Sequence, residues 1–187
     1  MRLAKAELVG ISRYSQGKVF DSHKSRDQTH EEFEKQCWKE RLHVTQDGNV
    51  FIPPQSLKSA LDEAAKYKSV QIPGKGKTTY TKHFLAGVLC LEPVVLPVKA
   101  ADVHGEWLFV PADGKKGGAK RVMKCFPYIE QWSGTVEFTV FDDIIDEQTF
   151  KIHLEDAGRF IGIGRYRPRN GGFYGRFKVS NIEWSTA

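Results

Sequence analysis

The chain has 187 residues and a net charge of +5 at neutral pH, with 28 Lys and Arg against 23 Asp and Glu. That length supports one folded core, so residues 1–187 read as a single domain carrying insertions. No apolar run approaches the roughly 20 residues that a membrane helix needs, and Arg2, Lys5 and Glu7 interrupt the first apolar stretch where a signal peptide would be continuous. The reading is a cytoplasmic protein with no membrane association. Cys37, Cys90 and Cys125 are far apart and form no C-x-x-C pair, which predicts three reduced, buried thiols in place of disulfides or a zinc site.

In chain order, residues 3–14 alternate and predict a first strand. Residues 15–28 are polar and irregular. Thr29 with Glu32 makes a capping box, and Phe33, Cys37 and Arg41 follow at helical spacing, predicting a helix over about 30–41. Asp47-Gly48 marks a turn. Pro53-Pro54 then opens a helix over about 54–67, with Leu57, Ala60, Leu61, Ala64 and Ala65 on one face. Residues 68–82 are basic, glycine-containing and aperiodic, and predict a loop. The apolar run that follows predicts a buried strand near 83–91, stopped by Pro93. Residues 105–111 and 120–126 pair as a hairpin across a basic tip, and 134–141 alternate as a strand. Asp146 caps a helix over about 147–161, ended by Gly162 and Gly164, and 173–184 is the last strand. With insertions at about 15–49, 68–82 and 93–126 set aside, the order is βαββαβ. The predicted fold is α+β, ferredoxin-like (RRM-like): an antiparallel sheet with two helices on one face.

The charge is clustered. Lys66, Lys68, Lys75, Lys77 and Lys82 form one group, and Lys115, Lys116, Lys120, Arg121 and Lys124 another. Arg159, Arg165, Arg167, Arg169, Arg176 and Lys178 form a third, inside a segment that also holds six of the 17 glycines. In the segment 158–176, GRFIGIGRYRPRNGGFYGR, the glycines permit close backbone approach to a ligand and the arginines offer bidentate bonds to phosphate. Tyr166, Phe173 and Tyr174 offer faces on which bases stack. This chemistry suits a flexible single strand of RNA or DNA. The segment has no G-x-G-x-x-G at the right offsets and follows a helix, the reverse of a dinucleotide site. No P-loop is present, so no cofactor is expected.

Residues 50–61, VFIPPQSLKSAL, resemble the I-P-G-S-S-L-K-G-x-L signature of the repeat-associated RNA-binding (RAMP) superfamily, which includes backbone subunits of CRISPR effector complexes. The matching residues are Ile52, Pro53, Ser56, Leu57, Lys58 and Leu61. The 158–176 segment resembles that superfamily's glycine-rich loop, which also lies between the second helix and the last strand. Pro54, Gln55 and Ser59 depart from the signature, and Pro54 removes an N–H donor at the helix start. The chain is short for a backbone subunit, which points to a stand-alone, phage or mobile-element relative. The resemblance implies a modified RNA-recognition-motif fold, RNA binding, finger-like protrusions, and assembly along a strand as a homo-oligomer or with CRISPR-type protein partners.

The nucleic-acid-binding residues expected on these grounds are Arg159, Arg165, Tyr166, Arg167, Arg169, Phe173, Tyr174 and Arg176, with Lys58, Lys75 and Lys77 extending the track. Two other readings stand beside this one. Some relatives cleave RNA with an aspartate after the first strand, which makes Asp21 and Asp27 the candidates for a metal-dependent ribonuclease; as plain polar loop residues they need no such role. The other is a protein-interaction factor or inhibitor acting on a CRISPR-type complex. The acidic knot Asp142, Asp143, Asp146 and Glu147 is explained by helix capping, and no metal site is expected.

Overall fold

The structure, a computed structural model, describes residues 1–112 and 120–186. The predicted hairpin tip, with Lys115 and Lys116, lies outside the described residues. The elements run β1 (Arg2–Gly10), β2 (Tyr14–Ser15), α1 (His30–Cys37), β3 (Asn49–Ile52), α2 (Pro54–Lys68), α3 (Thr81–Gly87) and β4 (Val88–Leu89). They continue through β5 (Val94–Lys99), β6 (His104–Pro111), β7 (Arg121–Ile129), β8 (Ser133–Val140), α4 (Glu147–Asp156) and β9 (Phe177–Thr186).

Four of these strands make an antiparallel sheet of order β4-β8-β1-β9. With α2 and α4 in their places between strands, β1-α2-β4-β8-α4-β9 is the α+β, RRM-like βαββαβ arrangement. Strand alternation sets its two faces. Ala4, Ala6, Leu8, Val136 and Phe138 are buried with Leu57, Ala60, Leu61, Phe150 and Leu154 of the helices. Lys5, Glu7, Glu137 and Glu183 are exposed on the opposite, open face, where Lys5 stands in register with both Glu137 and Glu183.

Two stretches outside this frame meet each other. The first runs from β2 to β3 and the second from β5 to β7. They join through β3 with β5 and β2 with β7, and β6 extends β7 into a hairpin. A buried ion pair fastens them. Arg41 lies 2.7 Å from Glu34, whose Oε1 also accepts the backbone N–H of Cys125 at 2.8 Å. Removing one partner of such a pair leaves a buried charge uncompensated and costs about 3–5 kcal/mol.

The Thr29–Glu32 capping box is present, and Asp146 caps α4 by accepting the Thr149 N–H at 2.7 Å. Asp142, of the same acidic knot, instead meets His83 Nδ1 at 2.6 Å and ties α3 to the end of β8. The three cysteines are free and buried. Trp132 is buried and Trp184 packs beside the core, while Trp107 on β6 is 39% exposed. No described helix is long and apolar enough to cross a membrane.

Other boundaries differ from the sequence reading. The predicted strand at 83–91 is α3 followed by the two residues of β4, because Phe84 packs inward beside α2 while an apolar run this short fits either element. The first strand ends at Gly10, and residues 14–15 join a different sheet. The helix expected over 30–41 becomes 3-10 after Cys37. The last strand starts at Phe177, leaving 173–176 in the loop. The helix over 147–161 ends as a π-turn, Ala157–Ile161. That turn sets Gly158 directly on the Phe177 carbonyl and ring, where a Cβ would collide with backbone. Gly158→Ala is therefore expected to cost about 1–3 kcal/mol by overpacking, read as a lower urea midpoint with an unchanged slope.

Candidate nucleic-acid interface

The loop from Gly162 to Arg176 is held by its backbone. Gly164, at φ +73°, lies against the Ser15 carbonyl and the Tyr14 ring, a position with no room for a Cβ. This approach lets Arg165 N–H donate to the Ser15 carbonyl at 2.8 Å, while Gly175 N–H donates to the Arg13 carbonyl at 2.8 Å. Gly162, Gly171 and Gly172 likewise donate to carbonyls of the chain itself. Gly162, Gly164, Gly172 and Gly175 thus serve close packing inside the protein, and these bonded N–H groups are not free to cradle an anion as the sequence reading supposed.

A groove opens between this loop, the start of α2 and the first insertion. One chamber, about 510 Å³, is lined by Lys18, His43, Ser56, Phe126, Gly164 and Arg165, with Tyr14, Gln16, Gly17 and Pro53 behind them. A second, about 340 Å³, is lined by Gln55, Ser56, Ser59, Gly164, Arg167 and Asn170. Ser56 and Gly164 border both, so the two chambers lie side by side at the α2 N-terminus. The Arg165 guanidinium lies 3.6 Å from the centroid of the Phe126 ring, a cation–π contact. Its Nη1 is buried without a hydrogen bond and is 3.8 Å from Glu106. Burial pushes Arg165 down from its ordinary value, with Glu106 opposing. His43 is also pushed down, by burial first and then by Lys18.

The predicted residues divide by place. Arg165 lines the first chamber and Arg167 the second, where Arg167 pairs with Glu63 at 3.0 Å and Arg169 stands 3.7 Å from the same carboxylate. Tyr166 and Phe173 are exposed, edge to face with each other at 5.2 Å. Tyr174 is 5% exposed, and its hydroxyl donates to Glu106 at 2.9 Å, so its ring is part of the loop's packing. Arg159 belongs elsewhere, in a recess with Glu155 and Lys178 beside β9, and Arg176 donates to its carbonyl. Lys75 and Lys77 are exposed in the loop that follows the opposite, C-terminal end of α2, a 15-residue helix about 22 Å long.

Lys58 is turned inward. Its ammonium lies 2.5 and 2.6 Å from the two Asp62 oxygens and donates to the carbonyls of Phe84 and Leu85 at the end of α3. Asp21 and Asp27 line two separate recesses, the first with Lys39 and Glu40 and the second with His23 and Glu32. Neither lines either chamber, although the Asp21 recess shares Lys18 with the larger one, and the described residues contain no group of three or more metal-ligating side chains. Sequence reasoning missed Lys18 and His43, which carry no motif, and the counter-ions Glu63 and Glu106.

No family model matches the chain, and no curated protein matches it. Solved structures do. The chain is similar to one in Type III-B Cmr-beta bound to cognate target RNA, with a TM-score of 0.64 and 12% identity over 99% of this chain and 61% of that one. It is also similar to Cmr6 from Pyrococcus furiosus, with a TM-score of 0.52 and 11% identity over 96% of this chain and 99% of that one. The fold is shared with both. The chain spans about three fifths of the length of the first and nearly all of the second.

Lys58→Ala should destabilise the protein by about 1–3 kcal/mol, because Asp62 and two carbonyls lose a charged donor. Urea unfolding measures this.

Proposed function

We propose that this protein binds single-stranded RNA as a RAMP-type subunit, with the strand running through the groove between the glycine-rich loop and the α2 N-terminus. The carrying observation is the groove's lining. Lys18, His43, Arg165 and Arg167 border it and none of its lining residues is a carboxylate. RNA-recognition domains commonly stack bases on the open sheet face. Here that face carries Glu7, Glu137 and Glu183 around Lys5, an excess of the wrong sign for a phosphate chain. A groove reader is the alternative that electrostatics favours. The fold shared with Cmr-beta, solved with its cognate target RNA, supports the same reading.

In this reading Arg165 and Arg167 contact phosphates, Arg169 follows at the rim, and Tyr166 and Phe173 stack on bases leaving the groove. Arg159, Arg176 and Lys178, beside β9, serve a neighbouring stretch of strand or an adjoining subunit. CRISPR-type proteins, or further copies of this chain, are the partners it would assemble with.

The double variant Arg165→Ala with Arg167→Ala should weaken binding of a labelled single-stranded RNA. Removing two phosphate contacts should flatten the plot of log K against log salt by about 1.4. Unchanged affinity, with circular dichroism showing a folded protein, rejects the groove. Glu63→Gln should tighten binding, because it releases Arg167 and Arg169 from an internal counter-ion.

A further inference from the structure

We propose that the larger chamber is a proton-linked phosphate subsite, in which His43 holds an RNA phosphate as an imidazolium beside Lys18 and Arg165. The inference rests on the proposed RNA groove and deepens it. His43 comes from the first insertion, outside both segments that drew attention in the sequence. Its backbone is fixed on both sides: its N–H donates to Gln16 Oε1 at 2.6 Å and its carbonyl accepts from Phe51 at 3.0 Å. The ring packs 5.5 Å from the Phe51 ring and borders the chamber.

Leu42 and Val44, on either side of His43 in sequence, line the neighbouring recess with Lys18, Asp21, Lys39 and Glu40. Lys18 flanks it on the insertion, Arg165 stands on the loop, and Ser56 offers a hydroxyl at the α2 N-terminus. Arg41 lies behind Phe126, its guanidinium 5.3 Å from that ring, and is paired with Glu34. The nearest carboxylate to Arg165 is Glu106, across from the chamber and shared with Tyr174 and Arg13. Burial first, and then Lys18, favour the neutral ring while the chamber is empty. A phosphate placed between Lys18 and Arg165 reverses the local field and favours the charged ring.

The sign follows from linkage. His43 titrates below its ordinary value in the free protein and higher in the complex, so binding takes up a proton between the two values. Affinity then rises as pH falls through that window and is flat above it. A phosphodiester keeps its charge throughout, so the protein alone supplies the dependence. A difference of one unit between free and bound values corresponds to about a tenfold gain in affinity.

The test is binding of a single-stranded oligouridylate from pH 8 to pH 5.5 at fixed salt, on the wild-type chain and on His43→Gln. Wild type should gain affinity toward low pH by about tenfold, and His43→Gln should bind with no such gain. In parallel, NMR titration of the wild-type imidazole should show its midpoint moving up when the RNA is added. A gain that survives in His43→Gln, or a midpoint that does not rise on binding, overturns the subsite. Binding that depends on Arg165 and Arg167 but not on pH overturns the subsite alone. No binding at any pH overturns the groove as well.

Discussion

The contact on which this interface depends is the Phe126 ring and the two guanidinium groups it receives. Arg165 of the glycine-rich loop lies 3.6 Å from its centroid, and Arg41 of the first insertion lies 5.3 Å away. One aromatic side chain on β7 therefore joins three parts of the chain that are remote in sequence. Like charges that converge on one ring need carboxylates nearby. Glu34 serves Arg41 and Glu106 serves Arg165, and both hold their places through further bonds, to the Cys125 N–H and the Tyr174 hydroxyl. Each guanidinium is thus held between an aromatic face and a carboxylate.

The same economy runs along the loop. Arg167 and Arg169 share Glu63 of α2, so the helix anchors the loop electrostatically while its N-terminus borders the groove. Lys58, one turn into that helix, is spent on Asp62 and on the end of α3. Cations that hold the fold together and cations that face the groove thus alternate along short stretches of sequence. A count of basic residues does not separate them.

Much of the frame was legible from pattern. The α2 stripe, the Thr29–Glu32 box, the alternation of β8 and the Asp146 cap are local signals that formed as read, while β1 formed over a shorter span. The apolar run at 83–91 misled, because its length admits helix or strand and only packing beside α2 selects α3. The π-turn at 157–161 had no local signal at all: Gly158 sits there because β9 passes directly beneath it. Of the groove's lining, Arg165 and Arg167 stood out by composition, whereas Lys18 and His43 did not, since nothing in KVF or LHV marks a groove.

The sequence by itself determined the βαββαβ frame and the loop's wealth of glycine and arginine, because amphipathic period, capping and turn chemistry are properties of neighbouring residues. Tertiary structure decided which cations face outward. It buried Lys58 and Tyr174, separated Arg159 and Arg176 from Arg165 and Arg167, and brought Lys18 and His43 in from an insertion. The physical reason is that a charge's role is set by its distance to carboxylates and to water, and those distances exist only once remote segments have met.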